Sequence, residues 1–135
     1  MLYEPKKDIV YVAGAFDLIH YGHVRFLEKA KKLGDILYVG LVTDDAVKKQ
    51  KGNSRPILTY KERKQWLYEM GYSNVVKQET FNPSENLIKF RPDGFIKGED
   101  QTHISEKTAD DLGIEIIYLK RTKGISTSDI IKRIK

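Results

Sequence analysis

Short β-branched apolar runs alternate along the chain with stretches whose apolar residues recur every three or four positions. Ile9-Val10-Tyr11-Val12-Ala13 is compact and stops at Gly14, as a strand buried on both faces would. Further on, Phe26, Leu27, Ala30 and Leu33 share one helical face, and Gly34 reads as the C′ residue that ends that helix. Residues 36–42, broken only by Gly40, form a second buried strand. Thr59-Tyr60-Lys61-Glu62 has the spacing of a capping box and opens a helix that runs to about Met70. Asn74-Val75-Val76 is a short strand, and Asn82-Pro83-Ser84-Glu85 is another helix start, with an acid near the positive dipole end. Gly94-Phe95-Ile96 and residues 114–119 supply two more strands. Ser126-Thr127-Ser128-Asp129 caps a last helix with Ile130, Ile131 and Ile134 on its apolar side. This alternation predicts one doubly wound α/β domain over residues 1–135, with a mainly parallel sheet of about five strands. Residues 48–56, polar and basic with Gly52, Asn53 and Pro56, read as a flexible surface loop able to close over a substrate.

Composition narrows the function classes. The 135 residues suffice for one core, and 40% hydrophobic with 32% charged is an ordinary globular balance. No cysteine is present, which removes disulfides, thiolate metal sites and a cysteine nucleophile. No apolar run approaches the roughly 20 residues of a membrane span, and residues 1–8 lack the apolar core of a signal peptide. A cytoplasmic protein is the expectation. The net charge of +5 favours anionic partners: nucleic acid, acidic lipid or phosphorylated metabolites. Its basic residues are dispersed, which argues against a nucleic-acid tail.

In open α/β sheets the first strand-to-helix turn is a favoured ligand site. Here it reads Gly14-Ala15-Phe16-Asp17-Leu18-Ile19-His20-Tyr21-Gly22-His23, with two of the chain's three histidines. Gly22 lets a phosphate approach the backbone, and the helix that follows offers unpaired N–H groups. Three readings compete. The histidines serve capping or packing; or Asp17, His20 and His23 form a two-histidine-one-carboxylate site for iron; or the imidazoles donate to triphosphate oxygens. The surrounding lysines and arginines favour the last.

The segment from Gly14 to His23 resembles the GxFDxxHxGH signature of the cytidylyltransferase-like nucleotidyltransferases, and Arg121-Thr122-Lys123-Gly124-Ile125-Ser126-Thr127-Ser128 resembles their RTxGISTT signature. Two motifs at opposite ends, in the expected order, make the likeness specific. The C-terminal motif is most similar to glycerol-phosphate cytidylyltransferases. Residues 51–56 and 92–98 look more like the heptose-phosphate adenylyltransferase branch.

The resemblance implies attack of a substrate phosphate oxygen on the α-phosphorus of an NTP, with pyrophosphate leaving. His20, His23, Arg121 and Lys51 would be the catalytic groups. Gly14, Ala15, Phe16, Gly22, Arg63, Gly98, Asp100, Ser126 and Thr127 would hold the nucleotide, Arg63 by a phosphate contact. Asp44 and Lys49 would face the second substrate, and Asp17 would orient the turn or bind magnesium, the implied cofactor. CTP with a phosphorylated polyol is the leading expectation, and ATP with a heptose-type sugar phosphate the alternative. A homodimer is implied; nucleic acid and membrane are not. A regulator that binds nucleotide without turnover is the rival outside enzymes, although both histidines, Arg121 and the Ser126-Thr127 pair speak for catalysis.

Overall fold

The computed structural model describes residues 7–19, 21–98, 105–120 and, as backbone, 130–132. The elements run β1 (Lys7–Gly14), α1 (Tyr21–Lys31), β2 (Gly34–Val42), α2 (Asp44–Lys51), α3 (Tyr60–Glu69), β3 (Val75–Gln78), α4 (Ser84–Phe90), β4 (Gly94–Gly98), α5 (Glu106–Leu112), β5 (Glu115–Leu119) and β6 (Ile130–Lys132). They build one sheet in the order β3-β2-β1-β4-β5-β6. The first five strands are parallel, as expected, and β6 pairs antiparallel with β5.

Strand alternation divides the core between two faces. Val10 and Val12 point to one side with Leu37, Val39 and Leu41, beneath Leu27 and Ala30 of α1 and Leu67 of α3. Tyr11 points to the other with Phe95 and Ile116, beneath Leu87 of α4 and Ala109 of α5. Both faces are covered, which is why the strands read as continuous apolar runs.

Three local expectations are corrected. Gly34 does not cap α1: the helix ends at Lys31 and Gly34 is the first residue of β2. Its role is close approach, since a Cβ there would lie 2.8 Å from a methyl of Val10. Residues 48–51 are the last turn of α2, so the loop begins only at Gly52. Beyond residues 126–129, which lie outside the described residues, Ile130–Lys132 is a strand and not the apolar side of a helix. Two adjacent β-branched residues suit a strand, and the edge of β5 offers unpaired backbone groups. A fifth helix, α5, went unread.

The capping box is present: Thr59 Oγ1 accepts from Glu62 N at 3.2 Å, and Glu62 Oε1 accepts from Thr59 N at 3.0 Å. Asn82 likewise accepts from Ser84 N at 2.9 Å at the start of α4.

Gly40 lies under the Tyr11 hydroxyl, which donates to Gln78 Oε1 at 2.6 Å and accepts from Asn86 Nδ2 at 2.9 Å. An added Cβ would fall on that hydroxyl. Gly40→Ala is therefore expected to cost about 1–3 kcal/mol, the usual penalty of overpacking. Chemical denaturation checks it; an unchanged midpoint would show that Tyr11 can move aside freely.

Candidate active site

The strand order reverses between β1 and β4, so a crevice opens beyond the carboxyl ends of these strands. The turn after β1 forms one wall. Phe16 is buried with φ of 46°, a left-handed conformation rare for a large side chain and a mark of functional sites. Its ring folds back over the strand end, and a Cβ on Gly14 would come within 2.9 Å of it. The same ring meets His23 edge-on, centroids 5.5 Å apart and planes at 69°. Gly14 thus admits Phe16, and Phe16 buttresses His23.

His23 is the third residue of α1, half-buried, with Gly22 beside it. The first turn of α1 contains no acid, so none of its own carboxylates offsets the positive end of the helix. An imidazole held rigidly there is a donor suited to phosphate oxygens. His20 lies outside the described residues, as do Asp100, Arg121, Ser126 and Thr127. Gly98 ends β4 next to β1, where a ligand at the crevice would lie. Lys97 before it is buried, its ammonium 5.6 Å from the Phe95 ring centre.

Asp17 is 7% exposed, and both its oxygens are engaged. Oδ2 accepts from Ile57 N at 2.8 Å and Oδ1 from Leu58 N at 2.9 Å. Arg55 Nε lies 3.3 Å from Oδ2. Burial pushes this carboxyl up, but the two N–H donors and the charges of Arg55 and Arg63 outweigh it, holding it below the usual carboxylate range. The latch is therefore present above the unfolded carboxyl pKa and is lost as pH falls through the lower folded value. Of the two roles expected for Asp17, these contacts match the orienting one: the carboxylate ties the β1–α1 turn to the segment before α3. Among the described residues no cluster of three or more histidine or acidic side chains could hold a metal ion.

Arg63 also differs from expectation. Its side chain is wholly buried, with Nη1 donating to Ala15 O at 2.7 Å and Val42 O at 2.8 Å, and Nε to Leu58 O at 3.1 Å. Nη2 pairs with Asp44 Oδ1 at 2.7 Å. The Ala15 carbonyl just past β1 and the Val42 carbonyl at the last residue of β2 need donors, which the guanidinium fork supplies. Arg63 is a strut under the site, with no exposed donor for a phosphate. Asp44, expected at the second substrate, is its ion-pair partner and opens α2.

Lys49 and Lys51 stand on the last turn of α2, where cations suit the helix dipole. Two residues apart on a helix, they point to nearly opposite sides. Lys51 lies 5.8 Å from the Phe81 ring centre. Buried Ala46 and Val47 pack α2 on Ala15 and Val42, so both lysines ride on a helix anchored to the turn.

A family model described as cytidylyltransferase-like matches residues 11–133. The chain belongs to this family. It is a nucleotidyltransferase domain, in line with the two signatures read from its sequence. Over 96% of its length it is 39% identical to the bifunctional protein HldE of Campylobacter concisus and to that of Helicobacter pylori. It spans only 28% of each of those relatives. Among solved structures it is similar to a lipopolysaccharide core biosynthesis protein from Thermoplasma volcanium, with TM-score 0.71 and 25% identity over 88% of this chain and 99% of that one. A pantoate-β-alanine ligase from Thermus thermophilus, 14% identical over 89% of this chain and 58% of that one with TM-score 0.63, shares the fold. No helix among the described residues is long and apolar enough to cross a membrane.

Proposed function

We propose that the chain transfers the nucleoside monophosphate of an NTP to a heptose-type sugar phosphate, and that the NTP is ATP. An oxygen of the sugar phosphate attacks the α-phosphorus, the bond to the bridging oxygen breaks, and pyrophosphate leaves. Such a transfer needs positioning and charge neutralisation more than covalent catalysis. His20 and His23 donate to the α-phosphate and the departing oxygens. Arg121, Ser126 and Thr127 grip the triphosphate, Gly98 and Asp100 flank the base, and Lys49 and Lys51 add positive potential from α2.

The observation that carries this reading is His23 at the acid-free start of α1, buttressed by Phe16, at the switch point of the sheet. The adenylyl assignment draws its support from HldE relatives that match almost the whole chain at 39% identity. It is favoured over the leading expectation of CTP with a phosphorylated polyol, which rested on the wording of residues 121–128. Magnesium enters with the triphosphate as part of the substrate. A cytoplasmic location and a homodimer belong to the same proposal.

Calorimetric binding of ATP and CTP with magnesium, without acceptor, tests the base. ATP is expected to bind at least about tenfold more tightly, a difference of roughly 1.4 kcal/mol. Tighter CTP binding would restore the cytidylyl reading and leave nucleotidyl transfer standing. Pyrophosphate release with a panel of phosphorylated sugars and polyols tests the transfer itself.

A further inference from the structure

The segment between α2 and α3 contains a second arginine whose situation is the reverse of that of Arg63. Arg63 is wholly buried with its donors spent on the protein; Arg55 keeps 38% of its side chain exposed. Its Nε is buried, 3.3 Å from Asp17 Oδ2, but takes part in no hydrogen bond. The Arg55 N–H donates to Gly52 O at 3.1 Å, closing the turn that follows α2. Two residues further on, Ile57 and Leu58 give their N–H groups to the same Asp17 carboxylate. The base of the Arg55 side chain is thus fixed against Asp17, in the turn between β1 and α1.

We propose that Arg55 is a phosphate-binding residue of this site, positioned by Asp17. With Nε held, the terminal amino groups of its guanidinium form the fork that binds phosphate oxygens bidentately. The charges pair off in a way that leaves this fork useful. Asp44 is matched by Arg63, and Asp17 is satisfied by two backbone N–H groups as well as by Arg55. Lys48, Lys49 and Lys51 in the last turn of α2 shortly precede Arg55 in the chain and add positive charge for an anion arriving beside it. Anchoring also removes rotamer freedom before the ligand arrives, which lowers the entropic cost of binding. The ligand oxyanion comes from the nucleotide or from the sugar phosphate; the nucleotidyl-transfer reading supplies only these two sources.

Equilibrium binding to the full chain separates them. ATP with magnesium and mannose 1-phosphate are titrated in separate arms into wild type, Arg55→Ala, Arg55→Lys and Asp17→Asn, each with a melting curve. Arg55→Ala is expected to weaken one probe at least about tenfold, the range of a lost charge-assisted contact, and the affected arm names the source. Arg55→Lys is expected to recover only part of that loss. Asp17→Asn, which sets an amide donor against a backbone donor, is expected to weaken the same probe and spare the other. Binding of both probes by Arg55→Ala within twofold of wild type would overturn the proposal while leaving nucleotidyl transfer in place. Full recovery by Arg55→Lys would overturn the bidentate contact, and unchanged binding by Asp17→Asn would overturn the anchoring. If wild type binds neither probe, both readings fall together.

Discussion

His23→Ala is expected to lower kcat by roughly 10²–10³, the usual consequence of removing one preorganised donor from a developing negative charge. The imidazole sits in the first turn of α1, where the helix already favours anions, and the Phe16 ring holds it edge-on. Its rigidity has a structural source that can be followed back to the sequence. Gly14 has no Cβ, so Phe16 can fold over the end of β1, and the left-handed backbone at Phe16 aims the ring at His23. The lost edge contact is worth only about 0.5–1.5 kcal/mol, so melting should fall by a few degrees at most. His23→Gln keeps an N–H donor and is expected to recover part of the rate. Turnover by pyrophosphate release and melting are to be measured on the same preparations. Near-normal turnover in the alanine variant would remove His23 from the chemistry, and loss of the fold would assign it to packing. His20→Ala is expected to lose at least about two orders of magnitude on the same grounds.

The parts of this site that were legible in the sequence are those set by local pattern. The run from Ile9 to Gly14 and the capping box at Thr59 each depend on residues a few positions apart, and each forms as read. The misread parts depend on distant partners. Sequence leaves Asp17 open between orienting the turn and binding a metal, because the N–H donors of Ile57 and Leu58 that engage it lie some forty residues on. The burial of Arg63 rests on carbonyls at Ala15 and Val42 that only the folded sheet brings together. Helix α2 leaves little apolar pattern in the sequence because Ala46 and Val47 are its only buried residues. The signal that could have found it was Thr43, whose hydroxyl accepts from Ala46 N at 3.4 Å behind two acids in the first turn. At the other end, Ile130 and Ile131 fit a helix face or a strand equally well by spacing. The exposed edge of β5 decides between them, and that edge belongs to tertiary structure.

Arg63→Ala is expected to produce the largest loss of stability, about 3–5 kcal/mol, chiefly because two buried carbonyl acceptors lose their donor. The guanidinium fixes four segments at one point: the turn after β1 through Ala15, the end of β2 through Val42, the start of α2 through Asp44, and the segment before α3 through Leu58. Removing it leaves the carbonyls of Ala15 and Val42 without that donor beneath the site. Asp44 is cushioned, since 36% of its side chain already meets solvent. For a chain of this size the loss corresponds to a fall in Tm of roughly 10–20 °C. Arg63→Lys keeps the charge, but one ammonium cannot span carbonyls and a carboxylate that a planar fork reaches together. It is expected to recover less than half of the stability. A phosphate ligand and a strut predict opposite outcomes here. If Arg63 bound phosphate, Arg63→Ala would raise KM and leave melting near wild type. As a strut it lowers Tm first, and activity suffers because the Asp17 latch, the His23 turn and the lysines of α2 all rest on the point it holds. Melting with saturating nucleotide separates the two further. The strut variant is still stabilised by ligand, through mass action at an intact site, and a variant that had lost its phosphate contact would gain much less.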